Sequence, residues 1–471
     1  MRAAPVIDLS PLPDRHFAVL GLGRSGLTAA TSLLASGKEV WAWDDDAAAR
    51  DVAASRGVPL VDLHRRDLAG LSTLVLSPGI PHTHPQPHPV VARLRDRGCA
   101  IIGDVELLLR SQREAKVVGV TGTNGKSTTT ALIGHILKAA GRVAETGGNI
   151  GFPALGLAPL GRGGIYVLEL SSYQLELTPS LACRVAVLLN ISSDHLGRHG
   201  GLDGYIAAKR RIFSGQGSSA TAVIGIDDSI TRAIAADMMK GPGPKIVTVS
   251  GCRQTSGVFA VNGVLHEAAP GEAFRHVLNL HRAAALPGEH NWQNAAAALA
   301  AVRALGVAAE VAASAIKTFP GLAHRQELVG RAGGVAYVND SKATNAEAAA
   351  RALACYDDIY WIAGGRPKEG GLATVMPHLD RVRHAFLIGE AAPRFAQELE
   401  GKVPVTLCGD LQHAVAAARV HAARLDAAHL HGERNGAHAV VLLSPACASF
   451  DQFENFEARG DAFRALVEAI A

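Results

Sequence analysis

Residues 117 to 141, VVGVTGTNGKSTTTALIGHILKAAG, run an apolar strand into a glycine-containing loop and then into a helix starting at Lys126. The amides of such a loop point inward, and with the positive end of the helix dipole they form a cradle for phosphate. Gly122, Thr123, Asn124, Gly125 and Thr128 would line it, Lys126 would meet the β- and γ-phosphates, and Ser127 would offer a hydroxyl to Mg²⁺. The pattern G-x-x-x-x-G-K-[ST] asks for glycine where Val120 stands, so this is a shortened variant built on Gly122 and Gly125. Read blandly, the same stretch is a Gly/Ser-rich turn capping an ordinary helix.

Further groups fall where strands give way to loops. Glu169, in LELSSYQLE, is a hard oxygen ligand suited to Mg²⁺ beside a phosphate loop. His195, in ISSDHLGRH, could take a second metal with Asp194 orienting it. Lys209, in YIAAKRRIF, is a further candidate whose bland alternative is one cation on a solvated helix face, since Arg210 and Arg211 follow it. The turn GLGRSG (Gly21, Gly23, Gly26) fits G-x-G-x-x-G, with Asp44 ending the next strand where a dinucleotide site would hold a ribose. Alone it suits NAD, but any nucleotide diphosphate satisfies the same helix-terminus physics. Near the C-terminus, VNDSKATN, GGRPKEGG and SPACASFDQFENFEARG carry Asp340, Lys342, Thr344 and Lys368, groups suited to phosphate, metal-bound water or a carboxylate substrate. His82, His84 and His88 of PHTHPQPHP are potential metal ligands on what reads as a Pro-rich surface loop.

The elements that must position these groups alternate strand and helix throughout, which predicts an α/β fold with largely parallel sheets. Strands are expected near 117–120, 165–170, 185–190 and 221–226, and the Ala-rich stretch 295–316 is expected to be a single helix. Three domains follow: a Rossmann-like one over 1–105, a central P-loop ATPase-like one over 106–320, and a second Rossmann-like one over 321–471. A Phe-Pro-Gly turn in KTFPGLAHR marks the second boundary.

Length and composition bound the reading. With 471 residues, 48% hydrophobic and 19% charged, the chain has room for about three domains. Forty-six Lys plus Arg against 43 Asp plus Glu leave +3, too little for a nucleic-acid or membrane-surface footprint, so anion binding must be local. The six cysteines include no C-x-x-C pair, which suits free thiols in a reducing compartment. MRAAPVIDLS lacks a signal peptide's apolar core, and Arg303 and Glu310 interrupt the most apolar long stretch. A cytoplasmic location, with no membrane or nucleic-acid partner, is therefore expected. The 50 glycines exceed the usual share and need a use.

TGTNGKST, LELSSYQLE, NISSDHLGRH, YIAAKRRIF, HNWQN, GLAHR, NDSKATN and SPACASFDQF, in that order, resemble the Mur ligases that build the peptide of bacterial peptidoglycan. GLGRSG, GGNIG and SPACASFDQFENFEARG most resemble the branch that adds D-glutamate. The resemblance implies a monomeric, cytoplasmic, ATP-dependent amide ligase joining D-glutamate to UDP-N-acetylmuramoyl-L-alanine through an acyl phosphate, with two Mg²⁺ sites. Carried over by motif, Lys126 and Ser127 act on the phosphates and Mg²⁺, Glu169 and His195 are metal ligands, and Lys209 is the lysine that becomes carbamylated. Asn294 matches an adenine contact, and Arg325 and Asp340 match ribose and phosphate contacts. Ser25, Asp44 and Ser77 fall where uracil and diphosphate are held, while Asn149 and His195 flank the muramoyl-alanine end. Lys342, Thr344, Lys368, Ser449 and Phe456 match the D-glutamate site. Gly197 departs from the family's usual Asp in the loop after His195. The alternatives are a ligase for another amino acid or for L-glutamate, a folylpolyglutamate synthase-like enzyme, and a non-catalytic nucleotide-binding regulator.

Overall fold

The computed structural model describes residues 7–268, 274–367, 370–429 and 439–470, the side chains of 424–429 excepted. Three sheets follow one another along the chain, and the expected α/β class with mostly parallel strands is what it forms. The first sheet is parallel and four-stranded, in the order Glu39–Trp43, His16–Leu20, Thr73–Leu76, Ala100–Ile102. The second has nine strands: Arg275–Asn279, Val264–Glu267, Val258–Val261, Lys245–Ser250, Thr221–Gly225, Val185–Leu188, Lys116–Thr121, Ile165–Glu169 and Ala144–Gly148. Only its first two pairings are antiparallel. The third runs Glu327–Ala332, Val335–Asn339, Val440–Leu443, Ile359–Gly364, Val382–Ile388, Val405–Gly409, with only its first pairing antiparallel.

Strands such as Val185–Leu188 (VAVL) and Ile359–Gly364 (IYWIAG) are apolar at nearly every position because helices cover both faces of a parallel sheet. Ligands of such sheets gather at the carboxyl ends of the strands. In the nine-stranded sheet, Lys116–Thr121 lies between Val185–Leu188 and Ile165–Glu169. Parallel pairing therefore sets the loop after Thr121, the carboxyl of Glu169 and the turn at Asn190 side by side.

The chain divides into two compact units, Met1–Ala283 with Glu289–Thr318, and Ala284–Gly288 with Phe319–Ala471. In the first unit the four- and nine-stranded sheets share one large apolar cluster, in which Leu33, Val105 and Leu108 meet Leu155, Tyr166, Leu168 and Ile212. The second unit buries Trp361, Leu387 and Leu442 on one face of its sheet and Tyr337, Phe386 and Phe463 on the other.

One expectation fails. The Ala-rich stretch is two helices, Glu289–Ala304 and Ala309–Lys317, not one. Gly306 adopts φ +82° and closes the first helix, with Val307 N–H returning to Val302 O at 3.0 Å. Alanine has high helix propensity, but a left-handed glycine stops the run irrespective of it.

Candidate active site

The loop between the strand Lys116–Thr121 and the helix Lys126–Ala139 is pinned on several sides. Thr123 N–H donates to Asn190 O (2.9 Å), and the Thr123 hydroxyl lies 3.2 Å from both Ser192 O and the Tyr205 hydroxyl. Asn190 holds Asn124 at both ends of its backbone, accepting from Asn124 N–H at 2.9 Å and donating to Asn124 O at 3.1 Å. Gly125 caps the helix at φ +82°, and a Cβ there would collide with Asn294 Oδ1. Asn294 is thus packed beneath the loop, where it also accepts from Thr129 Oγ1 (3.3 Å). Lys126 folds back, its Nζ donating to Gly122 O and Thr123 O at 2.9 Å each. Ser127 and Thr128 are buried in the helix's first turn, whose amides point along the axis toward the loop.

Two neighbouring elements add a carboxylate and a second amine. Glu169 is 2% exposed; its Oε1 accepts from Asn149 Nδ2 at 2.7 Å, and its Oε2 is buried without a hydrogen-bond partner. A buried acceptor left unmet costs about 1–3 kcal/mol, which a cation would offset. With the Ser127 hydroxyl in the first turn of the helix after the neighbouring strand, these oxygens suit a hard ion such as Mg²⁺. Lys209 overturns the solvated-face reading. The helix Leu202–Arg210 turns it inward to 1% exposure while Arg210 stays in solvent. Its Nζ donates to Gly122 O at 2.8 Å and lies 4.7 Å from the centre of the Tyr205 ring. Burial, and next the charge of Lys126, hold this amine well below the usual lysine range, against an opposing pull from Asp194 and Glu169. His195 stands at the rim, half exposed, at φ +53° and 3.5 Å from Asp194.

The first glycine turn is a tight strand-to-helix crossing. A Cβ on Gly26 would run into Gly21 O, so only glycine lets the helix Arg24–Ala35 approach the end of the strand His16–Leu20. Ser77 Oγ donates to Gly21 O at 3.0 Å, and Asp44 accepts Leu22 N–H at 2.6 Å and Asp46 N–H at 2.9 Å. A small polar cleft lined by Arg24, Ser25, Pro78, Gly148, Asn149 and Gln174 leads from this turn to the GGNIG loop. It links Ser25 to Asn149, and Asn149 to Glu169. The histidines of the Pro-rich loop do not converge. His82 lies 3.8 Å from Glu176, His84 packs against Gly200, and His88 joins His64 on Asp45, each imidazole 2.9 Å from a carboxylate oxygen. His88 Nδ1 accepts from Val90 N–H, so its Nε2 carries the proton and donates to Asp45, which holds that carboxyl down at about 2.

In the second unit the carboxyl ends of Val335–Asn339, Val440–Leu443 and Ile359–Gly364 lie side by side. Asp340 accepts from Ser444 Oγ (2.9 Å) and Gln326 N–H (3.2 Å), and burial lifts its carboxyl to about 7. Lys342 Nζ lies over the Phe456 ring at 4.7 Å, and Thr344 N–H turns back to Lys342 O. Arg325 precedes Gln326 on the adjoining turn, and Ser449 is buried at the start of the turn that ends the segment after Val440–Leu443. Lys368 lies outside the described residues.

Sequence reading missed several residues that hold this geometry. Asn190 braces the phosphate loop from 66 residues away. Arg459, 1% exposed, donates to Ser341 Oγ and O and to Cys447 O, and burial brings it down to about 10. His199 is buried against Ser172 Oγ (2.9 Å) and Glu176 (3.3 Å). Asn190, directly after VAVLL at a strand end, was the one with a visible signal.

Residues 120–302 match the model of the Mur ligase middle domain, and residues 324–447 match that of the Mur ligase glutamate ligase domain. A Rhodospirillum rubrum protein named UDP-N-acetylmuramoylalanine--D-glutamate ligase is 52% identical over 474 residues, spanning 99% of this chain and 97% of its own. Its namesake in Caulobacter sp. strain K31 is 51% identical, spanning 99% and 98%. Among solved structures, a UDP-N-acetylmuramate-alanine ligase from Thermotoga maritima covers 96% of this chain and 99% of its own at a TM-score of 0.57; at 16% identity this likeness concerns fold alone. On this near-complete similarity, the chain belongs to the Mur ligase family.

Proposed function

We propose that this chain joins D-glutamate to UDP-N-acetylmuramoyl-L-alanine in peptidoglycan precursor synthesis, cleaving ATP to ADP and phosphate. The relatives named above support the substrate pair. The observation that carries the chemistry is the placement of Lys126, Lys209 and a half-open Glu169 around one glycine loop.

The substrate carboxylate oxygen attacks the γ-phosphorus, the bond to the ADP oxygen breaks, and an acyl phosphate forms. The amine of D-glutamate then adds to the carbonyl carbon, phosphate leaves, and the nitrogen gives up a proton. Carboxylate and triphosphate repel each other, so the first step needs fixed positive potential. Lys126 and the amides of the helix's first turn through Thr128 supply it, set in place by the loop of Gly122, Thr123, Asn124 and Gly125. Mg²⁺, held by Ser127 and Glu169 at one position and by His195 and a carbamylated Lys209 at a second, would add Lewis-acid screening of the phosphoryl charge. Carbamylation joins CO₂ to a neutral amine with loss of a proton. Lys209 favours it because burial holds its amine below the usual range.

Ser25, Asp44 and Ser77 hold the UDP end, and the cleft to Asn149 runs the muramoyl-alanine end toward the loop. Asn294 meets adenine, Arg325 and Asp340 meet ribose and phosphate, and Lys342, Thr344, Lys368, Ser449 and Phe456 receive D-glutamate. The segments 1–105, 106–320 and 321–471 divide these tasks among UDP binding, ATP use and amino-acid binding. The enzyme works as a monomer in the cytoplasm, a setting that suits cysteines held in no disulfide. Among the described residues no helix is long and apolar enough to cross a membrane.

Phosphate release measured with UDP-N-acetylmuramoyl-L-alanine, ATP, Mg²⁺ and a panel of D- and L-amino acids tests the proposal. Release should require the UDP substrate and be fastest with D-glutamate. Absence of amino-acid-dependent ADP formation would reject the ligase reading, and preference for another amino acid would reassign the branch.

A further inference from the structure

The loop that carries Asn124 is braced from behind by a relay of side chains with a built-in direction. Asp227, just after the strand Thr221–Gly225, accepts from Ser250 Oγ, from Gly251 N–H at 2.8 Å and from Gln293 Nε2 at 2.9 Å. A carboxylate taking these donors offers acceptors only, so the Gln293 amide must turn its NH₂ to Asp227 and its Oε1 away. That oxygen faces Asn190 Nδ2 at 3.5 Å. Asn190 gives another Nδ2 hydrogen to Asn124 O and receives Asn124 N–H on Oδ1. Each amide has one sense in which both its ends are matched. Reversing Gln293 would set oxygen against oxygen at Asp227 and NH₂ against NH₂ at Asn190, a penalty at both joints. The space is fitted to this arrangement. Gln293 is 5% exposed, and a Cβ on Gly225 would come within 3.0 Å of its Nε2.

We propose that Gln293 is a positioning residue for the phosphate loop, passing the fixed polarity of Asp227 through Asn190 to the Asn124 peptide and so holding the loop in its nucleotide-receiving form. The inference rests on the phosphate-binding reading above. Because Asn190 engages both the N–H and the C=O of Asn124, the backbone of that residue is a strut, and the phosphates are met by amides of the helix's first turn.

The test uses the full chain and reads ATP Kd by calorimetry, KM for each of the three substrates, kcat and Tm. Gln293→Met keeps the length and removes both polar ends; Gln293→Glu keeps the shape and opposes a carboxylate to Asp227. ATP Kd and KM should rise about tenfold in the first and further in the second, with KM for the other two substrates within about twofold. Asp227→Asn, which frees Gln293 to turn either way, should weaken ATP binding to an intermediate degree. An unchanged ATP Kd in Gln293→Met overturns the proposal, as does a uniform loss across all three substrates, the mark of a folding role alone. If Gln293→Met does not fold, an unchanged ATP Kd in Asp227→Asn overturns it equally. If the unsubstituted chain binds no ATP, the phosphate-binding reading fails first and is seen to do so separately.

Discussion

Glu169 and Asp340 are both buried acids at the carboxyl ends of parallel strands, one in each compact unit, and their surroundings treat them in opposite ways. Asp340 has Ser444 Oγ on one oxygen and Gln326 N–H on the other, and burial still lifts it to about 7. Glu169 has one oxygen met by Asn149 and one met by nothing, with the amines of Lys126 and Lys209 on adjoining elements. A strand-end acid closed by hydrogen bonds acts as a titrating part of the scaffold. One left half open beside a phosphate loop is built for a cation. In the proposed reaction the contrast matters at Glu169, which must stay charged to hold a metal.

The contrast breaks first at Glu169. Glu169→Gln keeps the shape and deletes the charge, and ADP formation at saturating Mg²⁺ should fall by about 10³-fold or more. A loss below about tenfold would make Glu169 an ordinary buried acid like its counterpart. Lys209→Ala should cost about 10²- to 10³-fold and regain part of the rate with added short carboxylates, which replace the carbamate oxygens. Full activity without rescue would sink the carbamate role.

Asp340 tests the other side of the contrast. Its folded pKa lies above the unfolded value, so the folded state binds the extra proton between about 4 and 7, and stability falls as pH rises through that window. The drop should be on the order of 4 kcal/mol in denaturant titrations, and Asp340→Asn should flatten it. A pH-independent midpoint in the unsubstituted chain would remove the distinction. The smallest effect is expected at Asn149. Asn149→Ala frees the second oxygen of Glu169 and should raise the Mg²⁺ concentration for half-maximal rate by about tenfold, read from a metal titration.

Most of the site was legible where chemistry and local pattern coincide. Lys126 and Glu169 each follow an apolar strand, so type and position could be read together. Lys209 could not be placed from its neighbours, because Lys-Arg-Arg describes a solvated face equally well and only tertiary packing buries the first of the three. The single helix expected over 295–316 failed because propensity sums cannot see the left-handed φ at Gly306. Gln293 and Asp227 escaped notice because the partners that link them to the loop lie 66 to 103 residues away, beyond any window of periodicity. Asp340 was legible as a polar strand end, but its raised carboxyl comes from tertiary burial, which outweighs the downward pull of the Ser444 hydrogen bond from a hundred residues later.

The apolar cluster shared by the four- and nine-stranded sheets limits how this protein can be rearranged. Val105, Leu107 and Leu108, at the join between the two, are fully buried together with Ala154 and Tyr166. Leaving a buried Val or Leu in water costs about 1.5–3 kcal/mol, so a chain cut here would expose enough surface to unfold or aggregate either fragment. The four-stranded sheet is therefore not an exchangeable cassette. Any variation of this sheet's surface has to come from side chains at its loop tips, because the floor beneath them also belongs to the nine-stranded sheet.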